Sequence, residues 1–261
     1  MIKNIKGTKD ILPSETKLWQ YIEKNIHDFF QQYGYQEIRT PKFENTNLFN
    51  RSIGKDTDIV SKEMYSWKDQ GNNNLTLKPE STASVSRAII QHNLAHVNKI
   101  NRLYYIDSLF RRERPQKGRF RQFEQFGIEA VGTDNPEQDV EVISMAYLFY
   151  KKMKISDINL KINSIGSLET RKKYKVALYD FLKNHKNNLS EISQKRLKTN
   201  PLRILDTKID FEKKIIKDVP KIIDFLDDED KEQFNFILNS LDTLNITYEI
   251  DHLLVRGLDY Y

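Results

Sequence analysis

The chain has 261 residues, 38% of them hydrophobic and 30% charged, with 42 Lys and Arg against 37 Asp and Glu for a net charge of +5. That length suits one large domain or a domain carrying an insertion; the composition is too apolar for a disordered chain, and the mild basicity permits a nucleic-acid partner without requiring one. With no cysteine, disulfides, thiolate zinc sites and a cysteine nucleophile are excluded, and five scattered histidines, read as offering neither HxxxH nor HExxH spacing, lead us to expect no transition-metal site.

No stretch approaches the ~20 apolar residues that span a bilayer. The opening Met1-Ile2-Lys3-Asn4-Ile5-Lys6 has neither an apolar run nor a small-residue cleavage site, so a cytoplasmic protein without membrane association is expected. Gly7 to Pro13 reads as an irregular lead-in, with Ser14 as the N-cap of a helix. Leu18, Ile22, Ile26, Phe29 and Phe30 recur at spacings of three and four up to Gly34, a residue suited to ending a helix. Periodicity alone allows this helix to line a monomer's core or an interface. Tyr35 to Thr40 follows as a strand, closed by Pro41.

Asn47 to Lys68 is read as a short helix, a loop and a strand through Met64-Tyr65-Ser66-Trp67, and Gly71 to Asn74 as a turn. A strand from Leu75 to Lys78 runs into Pro79-Glu80-Ser81-Thr82, where a helix begins with Ala83, Val85, Ala88, Ile89 and Ile90 on its apolar side. Glu80 and Thr82 thus stand at a strand end and a helix start. Capping residues and functional groups are both at home there, and the segment alone leaves the two readings open.

Arg102 to Gly132 reads as two strands joined by the loop Arg114-Pro115-Gln116-Lys117-Gly118-Arg119. Alternation places Phe123, Gln125, Gly127 and Glu129 on one face of the returning strand and Phe126, Ile128 and Ala130 on the core face. An amide and a carboxylate flanking a glycine suit a small polar ligand, with Gly127 leaving space and Phe123 offering a flat surface. Six of the eleven residues from Arg111 to Arg121 are Arg or Lys, which points to phosphate.

Asp134 to Met153 reads as a helix capped at Asp134 or Asn135, and Ile158 to Ser164 as a strand. From about Leu168 to Thr247 the chain is rich in Lys, Asn and Asp and mainly helical, with breaks at Pro201 and Pro220 and no acid, base or glycine loop legible as chemistry. Strand character resumes at Tyr248 to Ile250, and the sequence closes on Val255-Arg256-Gly257-Leu258-Asp259-Tyr260-Tyr261. Neither GxGxxG nor a Walker loop occurs, and the strands and helices do not alternate as in a doubly wound parallel sheet.

The stretch FRRERPQKGRFRQFEQFGIE resembles the second signature motif of class II aminoacyl-tRNA synthetases, in the form found in histidyl-tRNA synthetases. GTKDILP, LKPESTAS and RGLDYY are similar to further segments of that family, with Ser81 standing where glycine is common. The resemblance implies an α+β class II fold, a mixed, mainly antiparallel sheet flanked by helices and interrupted by a helical insertion. It divides the chain into a catalytic core at 1–167, an insertion at 168–247 that would reach toward the tRNA acceptor arm, and a return to the core at 248–261. The helix, strand and proline near the start would form the first class II motif, implying a homodimer.

The implied reaction joins histidine to its tRNA through a histidyl-adenylate made from ATP with Mg²⁺. Arg111 and Arg256 would be the catalytic arginines at the α-phosphate, with Arg119 toward the γ-phosphate, Glu113 on the exocyclic amine of adenine and Phe123 stacked on its ring. Glu80 and Thr82 would hold the substrate ammonium, Gln125 would face the same end, and Glu129 and Tyr261 would read the imidazole. Gln116 and Arg121 would meet the acceptor end of tRNA(His). No protein-made metal site is implied.

The match stops before the third class II motif and the anticodon-binding domain, so a fragment of a longer synthetase is expected. Two other readings stand beside it. A regulatory paralogue that binds histidine and partners with ATP phosphoribosyltransferase also lacks the anticodon-binding domain, but such proteins tend to lose the arginines that RRERPQKGRFR keeps. A plain RNA-binding module would explain the basic loop and leave Glu80, Gln125, Glu129 and Tyr261 unexplained.

Overall fold

The structure, a computed structural model, describes residues 1–54, 57, 59–114 and 116–255. The chain forms two compact units, the first made of Met1–Thr133 and the second starting at Asp134.

In the first unit, helix α1 spans Pro13–Gln32, with Leu12 as its N-cap. Ser14 therefore does not cap it. Proline occupies the first helical position, where its missing N–H is no loss and its fixed φ is already helical. Gly34, at φ +76°, takes the left-handed conformation that lets the chain turn out of the helix. Ile26, Phe29 and Phe30 are buried, whereas Leu18 is 62% exposed, so the apolar spacing serves the core only along the second half of the helix.

The centre of the unit is the hairpin of β5, Asn101–Phe110, and β6, Gln122–Val131, paired antiparallel over their full length from Asn101↔Val131 to Phe110↔Gln122. The expected strand at Tyr35 to Thr40 shrinks to β1, Gln36–Glu37, which runs parallel to β5. Two helices cover the hairpin's two faces. On one, Phe30 of α1 meets the rings of Tyr104 and Phe126 at centroid distances of 5.6 and 5.9 Å. On the other, Val85 and Ile89 of α3, Thr82–Gln91, pack on Leu103 and Tyr105.

A second antiparallel sheet orders β2 (Phe43–Asn45), β4 (Asn74–Leu77) and β3 (Tyr65–Lys68), with α2 (Thr46–Ser52) beside it. The turn before β4 forms as read: Asp69 accepts from the Asn73 N–H at 2.8 Å and Asn72 adopts φ +62°. The Lys78 N–H to Lys42 O bond extends the β2–β4 pairing by one residue, and the Phe110 N–H to Lys78 O bond stitches this sheet to the hairpin, each 3.0 Å. The short helix α4, Leu94–Val97, links α3 to β5.

The second unit opens with α5, Pro136–Lys152, whose N-cap is Asn135. Strand β7, Leu160–Ile162, pairs in parallel with β8, Tyr248–Ile250, at the far end of the unit's sequence. Parallel partners require a crossover, and here it is the whole helical stretch: α6 (Leu168–Asn184), α7 (Glu191–Thr199), α8 (Asp210–Ile216) and α9 (Asp228–Thr243). Leu241 and Ile246 pack with Ile162 against Ile143 and Tyr147 of α5. Tyr174, Leu178, Leu182, Leu197, Ile204 and Ile216 form a separate core among α6, α7 and α8. Pro201 opens a 3-10 turn and Pro220 precedes another, as helix breakers should.

A buried and a half-buried carboxylate tie this helical stretch together. Glu212 is fully buried and accepts from Ser190 N–H (2.8 Å), Ser193 Oγ (3.0 Å) and Thr207 Oγ1. Burial by itself raises the pKa of Glu212, but the bonds from Thr207, Ser190 and Ser193 outweigh it and hold the carboxyl below its ordinary value. Asp230 likewise accepts from Ser167 N–H and Thr170 Oγ1, at 2.9 and 2.6 Å. These account for part of the charge in a stretch whose carboxylates carry no chemistry that the sequence could assign. Among the described residues no helix is long and apolar enough to cross a membrane.

Candidate functional site

The antiparallel register puts Leu103, Tyr105, Asp107 and Leu109 of β5 opposite Glu129, Gly127, Gln125 and Phe123 of β6. Side chains of paired residues share a face, so all eight point to the side covered by α3. The N-terminus of α3 brings Thr82 to this face, where its Oγ1 donates to Glu129 Oε1 at 2.7 Å. Glu80, 7% exposed, accepts from Ala83 N–H at 3.1 Å, the bond expected of a helix-start carboxylate. The capping reading of this residue is therefore met.

Gly127 does not leave the open space read from the sequence. A Cβ there would run into the Tyr105 hydroxyl, so the glycine exists to let the Tyr105 ring lie across it. Burial, then the charges of Glu129 and Glu80, push the Tyr105 phenol well above its ordinary pKa and keep it protonated. Sequence reasoning missed Tyr105. The signal was its cross-strand position opposite Gly127, legible only once the register was known.

Beyond the two strands, a cleft of about 720 Å³ is lined by Arg111, Glu113, Arg119, Phe123 and Gln125 of the hairpin, with Trp19 of α1. The Arg111 guanidinium sits 5.2 Å from the centroid of the Phe123 ring, and its Nε donates to Pro79 O at 2.9 Å. Arg119 pairs with Glu113 at 3.1 Å near the loop. Of the pair that the resemblance assigns to tRNA, Gln116 is exposed and bridged to Arg119, while the Arg121 backbone N–H reaches back to Gly7 O at 2.6 Å. Pro115, Arg256 and Tyr261, with the rest of RGLDYY, lie outside the described residues.

The predicted residues thus fall into two linked groups. Arg111, Glu113, Arg119, Phe123 and Gln125 share the cleft, and Glu80, Thr82 and Glu129 gather around Tyr105. A second omission lies beneath them. Asp107 is 5% exposed and binds Lys42 Nζ at 2.6 Å, Ser81 Oγ at 3.0 Å and Lys78 Nζ, which also donates to Thr40 Oγ1 at 2.8 Å. Lys78 is completely buried; burial lowers its pKa and the Asp107 carboxylate works against that fall. An Asp mid-strand and a Lys before Pro gave no hint of meeting. The expectation of no metal-binding pair also overlooks His92 and His96, four residues apart. Asn93, at φ +55°, breaks the chain between them, so that His92 caps the end of α3 and His96 lies on α4.

A family model described as histidyl-tRNA synthetase matches residues 7–261. A protein of Limosilactobacillus fermentum named histidine–tRNA ligase is 48% identical over 258 residues, covering 98% of this chain and 60% of that relative. The structure of apo histidyl-tRNA synthetase from S. aureus superposes with a TM-score of 0.79 at 39% identity, over 100% of this chain and 60% of that one. A Bacillus halodurans structure titled ATP phosphoribosyltransferase regulatory subunit/histidyl-tRNA synthetase, at 22% identity and TM-score 0.69 over 100% of this chain and 70% of that one, shares the fold. The chain spans less than two thirds of the length of the first two relatives. With the class II hairpin and its flanking helices in place, a family match over nearly the whole sequence is decisive: the chain belongs to the histidyl-tRNA synthetase family.

Proposed function

We propose that this chain carries the histidine- and ATP-binding parts of a histidine–tRNA ligase. The observation that carries the reading is the double engagement of Arg111, which lies over Phe123 in the cleft and donates to Pro79 O just before Glu80. One side chain joins the group suited to a nucleotide to the group suited to an amino acid.

In the proposed reaction the histidine carboxylate attacks the α-phosphorus of ATP, pyrophosphate leaves, and the histidyl group passes from the adenylate to the terminal ribose of tRNA(His). Arg111 and Arg256 offset the charge that develops at the α-phosphate, and Arg119 holds the outer phosphates once it exchanges Glu113 for them. Phe123 stacks on adenine and Glu113 accepts from its amine. Glu80 and Thr82 hold the ammonium with Gln125 at the same end, while Glu129 and Tyr261 read the imidazole.

Mg²⁺ supplies charge neutralisation on the phosphates in this reading. An ion that arrives on phosphates needs only one or two carboxylates, and Glu63 and Glu124 in the cleft wall provide that chemistry without a protein-made cage. Residues 1–167 and 248–261 serve as catalytic core and 168–247 as the insertion, whose exposed Lys172, Lys175, Lys183 and Lys186 suit an RNA backbone. Gln116 and Arg121 are assigned to the acceptor end of the tRNA. Exposed Leu18 and Tyr21 on α1 support the homodimer, and a cytoplasmic setting belongs to the same proposal.

The regulatory reading is disfavoured by two observations. A named ligase is 48% identical against 22% for the regulatory-titled structure, and Arg111 and Arg119 both line the cleft. Amino-acid-dependent exchange of pyrophosphate into ATP tests the proposal. Histidine alone among the amino acids should support exchange, and Arg111→Ala should abolish it. Exchange with another amino acid, or histidine binding with no ATP binding, would overturn the ligase reading.

A further inference from the structure

The segment from Lys78 to Thr82 is fastened at every residue. Lys78 is held by Asp107 and Thr40, the Pro79 carbonyl by Arg111, the Glu80 carboxylate by Ala83 N–H, Ser81 by Asp107, and Thr82 by Glu129. Asp107 appears twice in that chain of contacts, either side of Glu80. It sits on β5 opposite Gln125, and its buried carboxylate takes Lys42 on one oxygen and Lys78 with Ser81 on the other. A hydrogen bond to a charged, desolvated acceptor is among the stronger ones, and two of them from residues three apart in sequence leave the backbone between them little freedom. The residues so confined are Pro79 and Glu80.

We propose that Asp107 is a positioning residue for amino-acid recognition, fixing the backbone at 78–82 through Lys78 and Ser81 so that Glu80 and Thr82 meet a substrate ammonium. This rests on the site reading given above and adds a residue that touches neither substrate. An ammonium is a compact charge with tetrahedral donors, and a carboxylate free to swing would hold it with a large loss of side-chain order. Confinement by Asp107 makes the site ready before the ligand arrives.

The test compares binding of L-histidine with that of 3-(imidazol-4-yl)propanoate, which keeps the imidazole and carboxylate but lacks the ammonium, by calorimetry on the full chain. The unaltered protein should prefer histidine strongly. Ser81→Ala removes one tether and keeps the ion pairs; it should cut that preference about fivefold, and Asp107→Asn should cut it about twentyfold or more. ATP affinity should stay within about twofold in both. A general loss of order would instead weaken both imidazole ligands and ATP together. If both variants keep the preference, or lower both imidazole ligands equally, Asp107 is not a positioning residue. Should Asp107→Asn fail to fold, Ser81→Ala decides alone, since it leaves Lys42, Lys78 and Asp107 in place. A wild-type chain that binds histidine no better than the propanoate overturns the ammonium site, and the positioning claim with it.

Discussion

Glu212 in the helical stretch and Glu80 in the hairpin unit are both buried carboxylates at 7% exposure or less, yet they are supplied very differently. Glu212 receives donors from Ser190, Ser193 and Thr207, which bind α7, the loop before α8 and α8 together. Among the described residues, Glu80 receives the single backbone N–H of Ala83. A buried carboxylate has room for about four hydrogen bonds, so the first is close to saturated and the second retains capacity for a cationic ligand. Saturation marks a fastening, and spare capacity beside Thr82, Tyr105 and Glu129 is what the proposed amino-acid site requires.

The comparison breaks most visibly at Glu212. Glu212→Leu strands the donors of Ser190, Ser193 and Thr207 and should cost about 3–5 kcal/mol in urea unfolding, because each unsatisfied group loses its full desolvation compensation. Glu80→Gln keeps an oxygen for Ala83 N–H, so stability should move by less than ~1 kcal/mol while histidine affinity falls about 30- to 100-fold in a calorimetric titration. A large stability loss for Glu80→Gln with histidine affinity intact would reverse the two assignments.

Gly127→Ala sharpens the picture around Tyr105. The added methyl meets the phenol, and the overpacking should cost about 1–3 kcal/mol and displace the ring from Thr82 and Glu129, lowering histidine affinity as well. Acid provides a fourth handle. Glu212 and Asp230 are both held below their ordinary pKa by bonds from neighbouring hydroxyls and backbone N–H groups that outweigh burial. A depressed carboxyl stabilises the fold above its unfolded pKa and loses that contribution as pH falls through its folded one. Stability should therefore decline below about pH 4, and Asp230→Asn should flatten part of that decline in pH-dependent urea unfolding. The smallest effect belongs to Arg119→Ala, which opens an exposed pair with Glu113: stability should change by less than ~0.5 kcal/mol, with ATP affinity reduced.

Much of this was legible beforehand because it rests on local rules. Period-two alternation over Gln122 to Val131 placed Phe123, Gln125 and Glu129 on one face, and the turn residues between Arg111 and Arg121 gave the hairpin. What escaped depends on contacts between distant residues. Tyr105 over Gly127, and Asp107 between Lys42, Lys78 and Ser81, arise from strand register and from the joining of two sheets, neither of which leaves a periodic trace. The misplaced cap at Ser14 and the exposed Leu18 are of another kind: proline took the first helical position, and the spacing of apolar residues cannot say where along a helix the core ends.

The central claim, that the hairpin face and the 78–82 segment form one site for a histidyl-adenylate, is tested most directly by thermal unfolding of this chain with a non-hydrolysable histidyl-adenylate mimic and with its alanyl counterpart. At ~100 times its dissociation constant a ligand adds about 2.7 kcal/mol to stability. The account predicts a clear rise in Tm with the histidyl compound and none with the alanyl one. Equal shifts with both, or a cooperative melt that neither moves, would contradict it.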